Sequence, residues 1–176
     1  TANFEIDTYT VKVIAIGNGT AGAQIGIGAI GTASVNPNYN ENIKLLASAK
    51  AGYTFNGWFS DDAGTNELTL TDGSYTVPAQ SANGATINLY AKFTANTYAV
   101  SFNANGATVT SAIDPITATY GSTVAIPTVT GKFAKTGYTF AGWNTDSKAT
   151  AGIAGLTGTI NVSDFVTKVN IASPYA

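Results

Sequence analysis

Apolar and polar residues alternate along much of the chain. Val11, Val13 and Ala15, then Ile87, Leu89, Ala91 and Phe93, and again Val100 and Phe102, fall on every second position. A period of two is the mark of a strand with one buried face, because successive side chains point to opposite sides of a sheet. Turn dipeptides punctuate these runs at Asn18-Gly19, Asn56-Gly57, Asp72-Gly73, Asn83-Gly84 and Asn105-Gly106. Such pairs supply the positive φ angles that tight hairpins need. No stretch keeps a sustained period of 3.6. The best helical segment is Asn40 to Ala49, where Ile43, Leu46 and Ala47 can share a face, and Ile43-Lys44-Leu45 reads equally well as strand. The pattern predicts a mostly β protein.

The pattern also repeats. Ala51-Gly52-Tyr53-Thr54-Phe55-Asn56-Gly57-Trp58 recurs 85 residues later as Thr136-Gly137-Tyr138-Thr139-Phe140-Ala141-Gly142-Trp143, and each copy runs on to an acid, Asp61 or Asp146. Upstream, Tyr9-Thr10-Val11-Lys12-Val13 matches Tyr98-Ala99-Val100-Ser101-Phe102, and each leads to Asn-Gly. Landmarks in one order imply a duplicated unit. The chain divides into an N-terminal extension or linker (1–8), a first repeat (9–93), a polar linker (94–97) and a second repeat (98–176). The second repeat has Val169-Asn170-Ile171 where the first has Ile87-Asn88-Leu89, then diverges, so its last strand reads as incomplete or divergent. Thr1-Ala2-Asn3 echoes Thr94-Ala95-Asn96, which suggests a piece of a longer array. Thr1 opens a polar segment with no basic leader, as in a mature protein or an excised fragment.

The Gly-Tyr-Thr-Phe-x-Gly-Trp signature resembles the Listeria-Bacteroides repeat family, which includes the internalin-type B repeat and its divergent relatives. The Tyr-x-Val strand start, Tyr120-Gly121-Ser122-Thr123-Val124-Ala125-Ile126-Pro127 and Leu89-Tyr90-Ala91-Lys92-Phe93 are similar to that family's pattern too. The first repeat departs from it by a Gly/Ala-rich insert from Thr20 to Ala33 and resembles the divergent branch. The resemblance implies two tandem small β-rich domains, β-grasp-like, strung on extracellular bacterial surface proteins. Their implied role is structural or adhesive, without catalysis or cofactor.

Composition agrees with that implication. Hydrophobic residues make up 44% of 176 residues and charged ones only 10%, so the chain can fold yet carries few surface charges. All eight bases are scattered Lys, and no Arg is present to fork onto phosphate, which excludes a nucleic-acid binder. With neither His nor Cys, the imidazole and thiolate routes to catalysis and metal binding are closed. Apolar runs are broken well short of roughly 18 residues, too short for a membrane span. An extracellular protein without disulfides must rest on packing, which favours a bacterial surface.

Each candidate site has two readings. Tyr53, Phe55, Gly57 and Trp58, with Tyr138, Phe140, Gly142 and Trp143, read first as core, where each Gly permits a bulge that returns its Trp to the aromatic face. The alternative is a stacking platform for glycans. Asp61-Asp62-Ala63-Gly64-Thr65-Asn66-Glu67 has oxygen ligands but lacks the spacing of a calcium loop, and reads as a solvated loop. The run from Gly17 to Gly28 lacks the Lys-Ser/Thr ending of a phosphate loop and reads as a hairpin or a small-residue packing surface. Asn18-Gly19-Thr20 and Asn161-Val162-Ser163 are formal glycosylation triplets. Lys12 and Asn88 have the chain placement of a Lys–Asn crosslink between first and last strands, which Ser101 precludes in the second repeat. The partners expected are a protein or glycan at the cell surface, or further copies of the chain. Copies would join by strand addition into a filament or layer, through the strand-like Phe4-Glu5-Ile6-Asp7 or the incomplete last strand.

Overall fold

A computed structural model describes residues 1–28, 31 and 33–169. The chain forms two compact units, Thr1–Thr94 and Ala95–Ala176. It is mostly β, built from several small sheets.

Unit 1 contains β1 (Thr10–Ile16), β2 (Gly19–Ile25), β3 (Ser34–Val35), β4 (Asn42–Ala49), β5 (Tyr53–Phe59), β6 (Ser74–Thr76) and β7 (Thr86–Ala95). One mixed sheet has the order β3-β1-β7-β5, and an antiparallel sheet has the order β2-β4-β6. The first and last strands of the unit, β1 and β7, run parallel side by side, with Val11 opposite Ile87 and Val13 opposite Leu89. The alternation explains the burial. Val11 and Val13 of β1, Leu89, Ala91 and Phe93 of β7, Ala23 of β2 and Ile43 and Leu45 of β4 join Tyr9, Trp58 and Val77 in one buried cluster. Each fully buried side chain of this size stabilises by roughly 1.5–3 kcal/mol, so the two sheets are held mainly by this shared interior.

Unit 2 contains β8 (Thr97–Val100), β9 (Thr108–Val109), β10 (Ile116–Thr119), β11 (Thr123–Ile126), β12 (Phe133–Ala134), β13 (Gly158–Asn161) and the helix α1 (Val162–Lys168). Its strands pair two by two, β10 with β8, β11 with β13 and β12 with β9, all antiparallel. Ala118, Val124, Ile126, Leu156, Val162 and Phe165 form its buried cluster.

Several sequence expectations change. Asn42–Ala49 is strand, not helix, because its hydrogen bonds go to β2 and β6 on either side and Ile43 and Leu45 alternate inward. A helix does occur, at Val162–Lys168, where Val162 and Phe165 are buried and Val166 and Val169 pack beside them at helical spacing. Asp164 in its first turn and Lys168 in its last suit the helix dipole. Val169 caps this helix instead of starting a strand, and the rest of the expected last strand, Asn170 onward, lies outside the described residues. Phe4-Glu5-Ile6-Asp7 is not strand, and Phe4 and Ile6 stand in solvent. Within the polar linker 94–97, Thr94 and Ala95 continue β7 and Thr97 begins β8. After β1 the turn is made by Gly17 at φ +90°, while Gly19 already belongs to β2. The Asp72-Gly73 pair does form a tight two-residue turn, with both residues at positive φ and Thr71 and Ser74 exchanging backbone hydrogen bonds. Among the described residues no helix is long and apolar enough to cross a membrane.

Candidate functional site

The duplicated signature is the feature from which a site can be built. In unit 1 it lies on β5. Gly57 takes φ +133°, a conformation that suits glycine, and this twist brings Trp58 to the side of Phe55, their ring centroids 6.0 Å apart and edge to face. Phe55 in turn meets Phe93 of β7 at 5.4 Å. Trp58 is 5% exposed and Phe59 is buried on the opposite face, where the Lys92 ammonium sits 5.5 Å from its ring centre. Tyr53 is half-buried, and Phe55 is partly open to solvent.

In unit 2 the same residues keep the same local geometry. Gly142 has φ +119°, and Phe140 and Trp143 meet edge to face at 5.4 Å. The chain then returns alike in both units: the carbonyl of Trp58 accepts from the Leu68 amide, and that of Trp143 from the Ile153 amide, each at 2.7 Å. The surroundings differ. Tyr138–Trp143 forms no strand ladder, Tyr138 is 72% exposed and Phe140 50%, and Trp143 is half-buried against Phe102 and Phe133. The Trp143 indole N–H donates to the Pro127 carbonyl at 2.9 Å, which fixes the ring from the other side. Beside this cluster opens a groove of about 910 Å³, lined by Ala104, Asn105, Phe133, Tyr138, Phe140 and Trp143 among others.

The acid after each signature organises a loop. The Asp61 carboxylate accepts from the amides of Thr65 and Asn66, at 3.1 and 2.6 Å, and from the Thr65 hydroxyl at 2.8 Å. The Asn66 amide above all, then the Thr65 hydroxyl, favours the ionised form and lowers the Asp61 pKa below its ordinary 3.8. Asp146 plays a smaller version of this part, accepting from the Lys148 amide at 2.9 Å. Among the described residues, no three acids gather as a metal site would require. The middle of the Gly-rich run forms β2 (Gly19–Ile25), and its glycines allow close approach. A side chain at Gly19 would strike the Phe93 ring, and one at Gly22 the backbone of Gly31.

Lys12 and Asn88 are direct neighbours across the parallel β1–β7 pair, and both are exposed. An amide crosslink needs a buried acid to move protons, and no polar or charged residue is buried among the described ones. The register brings the pair together, and the solvent around it supplies none of that assistance.

Missed by sequence reasoning is the unequal exposure of the two signatures. Their residue types are nearly the same, so the difference lies in what packs over each. No local signal encodes it.

Two family models match successive parts of the chain. Residues 9–97 match the divergent InlB B-repeat domain, and residues 98–166 match the Listeria-Bacteroides repeat domain. Internalin H of Listeria monocytogenes serovar 1/2a is 37% identical over 111 residues, 62% of this chain and 18% of its own length. Two proteins of Evansella cellulosilytica are also similar. One, carrying the name of a membrane protein, is 35% identical over 57% of the chain and 13% of its own length. The other, named as a Gly-rich membrane protein, is 31% identical over 82% of the chain and 14% of its own length. The chain thus spans less than a fifth of the length of these relatives. No solved structure matches it. With one repeat of each kind in tandem, the chain belongs to the family of Listeria-Bacteroides and divergent InlB B-repeat domains.

Proposed function

We propose that this chain is a non-enzymatic repeat module of a bacterial cell-surface protein, serving as stalk or adhesive spacer. The observation that carries the reading is the kind of interior each repeat has. Each is closed by its own apolar cluster, and no polar or charged residue is buried among the described ones. Catalysis draws on titratable groups whose pKa is tuned by burial or by a close charge. The Asp61 carboxylate, whose pKa is lowered, is held by the amides of its own exposed loop. A charge-poor surface on small repeated domains suits a spacer that must stay folded without disulfides. The parallel adjacency of β1 and β7, the first and last strands of unit 1, supports the β-grasp-like reading of that unit.

Antibody raised against residues 9–166 tests the location. It is expected to stain intact cells of the bacterium that makes the protein. Staining that appears only after lysis would overturn the surface assignment.

A further inference from the structure

We infer that the Asn105-Gly106 turn of unit 2 is a self-modification site, where the Asn105 side-chain amide converts to aspartate and isoaspartate and so releases the loop beyond the second signature. The step needs only water. The Gly106 nitrogen gives its proton to solvent and attacks the side-chain carbonyl carbon of Asn105. A cyclic imide closes, and the side-chain nitrogen takes up a proton and leaves as ammonia. Water then opens the ring at either carbonyl. One opening gives aspartate, and the other routes the main chain through the former side chain as isoaspartate.

The chain has four Asn-Gly pairs, and all four Asn are exposed, so access does not choose among them. Geometry does. The Gly84 amide donates to the Thr8 carbonyl at 2.8 Å while the Asn83 side-chain oxygen accepts from the Thr8 amide at 2.9 Å, which ties up both reacting groups. Gly19 begins β2, with the Asn18 carbonyl accepting from the Lys50 amide. Asn56-Gly57 lies within β5, with the Asn56 side-chain oxygen on the Thr94 hydroxyl. Extended backbone at these places turns the side chain away from the next nitrogen.

Asn105 and Gly106 belong to no strand. They sit at φ +47° and +76° in a turn closed by the Ala107 amide on the Ala104 carbonyl, and among the described residues none accepts from the Gly106 amide. Lys135 adds the feature that the other pairs lack. Its ammonium lies 3.5 Å from the Asn105 carbonyl oxygen and 4.7 Å from the centre of the Tyr138 ring. Once the Gly106 nitrogen is deprotonated, its charge spreads onto that same oxygen, and a cation placed there stabilises the attacking form. The consequence follows from a single bond. The Asn105 side-chain amide donates to the Ser147 carbonyl at 2.8 Å, which ties the turn to the loop after Trp143. Conversion removes the donor and sets a carboxylate against a carbonyl.

The test ages the full chain in mildly alkaline buffer and follows each Asn-Gly peptide by mass spectrometry, with chromatography separating aspartyl from isoaspartyl products. Asn105 should convert first, with Asn18, Asn56 and Asn83 slower by about tenfold or more. Lys135→Gln should slow Asn105 by roughly three- to tenfold and leave the other pairs unchanged, whereas Lys135→Arg should keep most of the wild-type rate. Equal rates at the four pairs, a faster site elsewhere, or an unaltered rate in Lys135→Gln would overturn the site. Release of the loop is read separately in Asn105→Asp, by amide exchange. Exchange should quicken at Lys148 and Ala149, whose amides are bonded within the loop to Asp146, with residues 9–93 unchanged. Undiminished protection at both amides would overturn the release.

Discussion

The rings of Phe55 and Phe93 meet at 5.4 Å, and through this contact the closing strand of unit 1 is fastened to the duplicated signature. Phe93 is 4% exposed whereas Phe55 is 37% exposed, so the two sides of the contact carry different weights. Phe93→Ala should destabilise unit 1 by about 3–5 kcal/mol, through lost burial and the cavity left over Gly17 and Gly19. Phe55→Ala should cost clearly less. Urea unfolding of both variants checks the order, and equal losses would mean that Phe93 is not the anchor.

Gly57 and Gly142 hold φ near +133° and +119°, where a β-carbon is strained. A side chain at Gly142 would also press on the backbone of Gly152, 2.8 Å away, while at Gly57 it would meet the movable end of Glu67. Both Gly→Ala variants should therefore lose more than about 1 kcal/mol, with Gly142→Ala the more damaging to its own unit. Thermal melts of the two variants decide this. An unchanged melting temperature for Gly142→Ala would show that the bulge is not required.

Asp61 gives the loop after the first signature a defined response to acid. Its folded pKa lies below the ordinary 3.8, because the Asn66 amide and the Thr65 hydroxyl and amide bind the ionised form. A depressed pKa favours the ordered loop fully above the unfolded value of about 3.9, and the preference is lost as pH falls through the lower folded value. Carboxyl titration followed by NMR should place Asp61 below the ordinary aspartate value. Amide exchange at Thr65 and Asn66 should quicken through the same midpoint. Asp61→Ala should make exchange fast at every pH.

The tandem layout and most strands of unit 1 were legible because period-two alternation and the Asp72-Gly73 turn are local signals. Leu89, Ala91 and Phe93 enter the core as their spacing requires. Asn42–Ala49 was ambiguous for a physical reason: its strand state depends on β2 and β6, both remote in sequence. The helix was more readable than expected. Val162, Phe165, Val166 and Val169 fall at intervals of three, four and seven, but Val169 also matched the start of the last strand in the first repeat. Nothing local could separate Trp58 from Trp143, since the difference arises from the strand that covers one signature and from the groove beside the other.

The central claim is that these are two separately cored repeats whose Trp residues act as packing anchors. Amide-resolved urea unfolding of the wild-type chain, Trp58→Ala and Trp143→Ala tests it most directly. Trp58→Ala should lower the unfolding midpoint of residues 9–93 by the equivalent of about 3–5 kcal/mol and leave residues 98–169 unchanged. Trp143→Ala should do the reverse with a smaller loss, because its ring is half-buried. A single substitution that shifts both sets of amides, or a Trp58→Ala chain that melts like the wild type, would contradict the account.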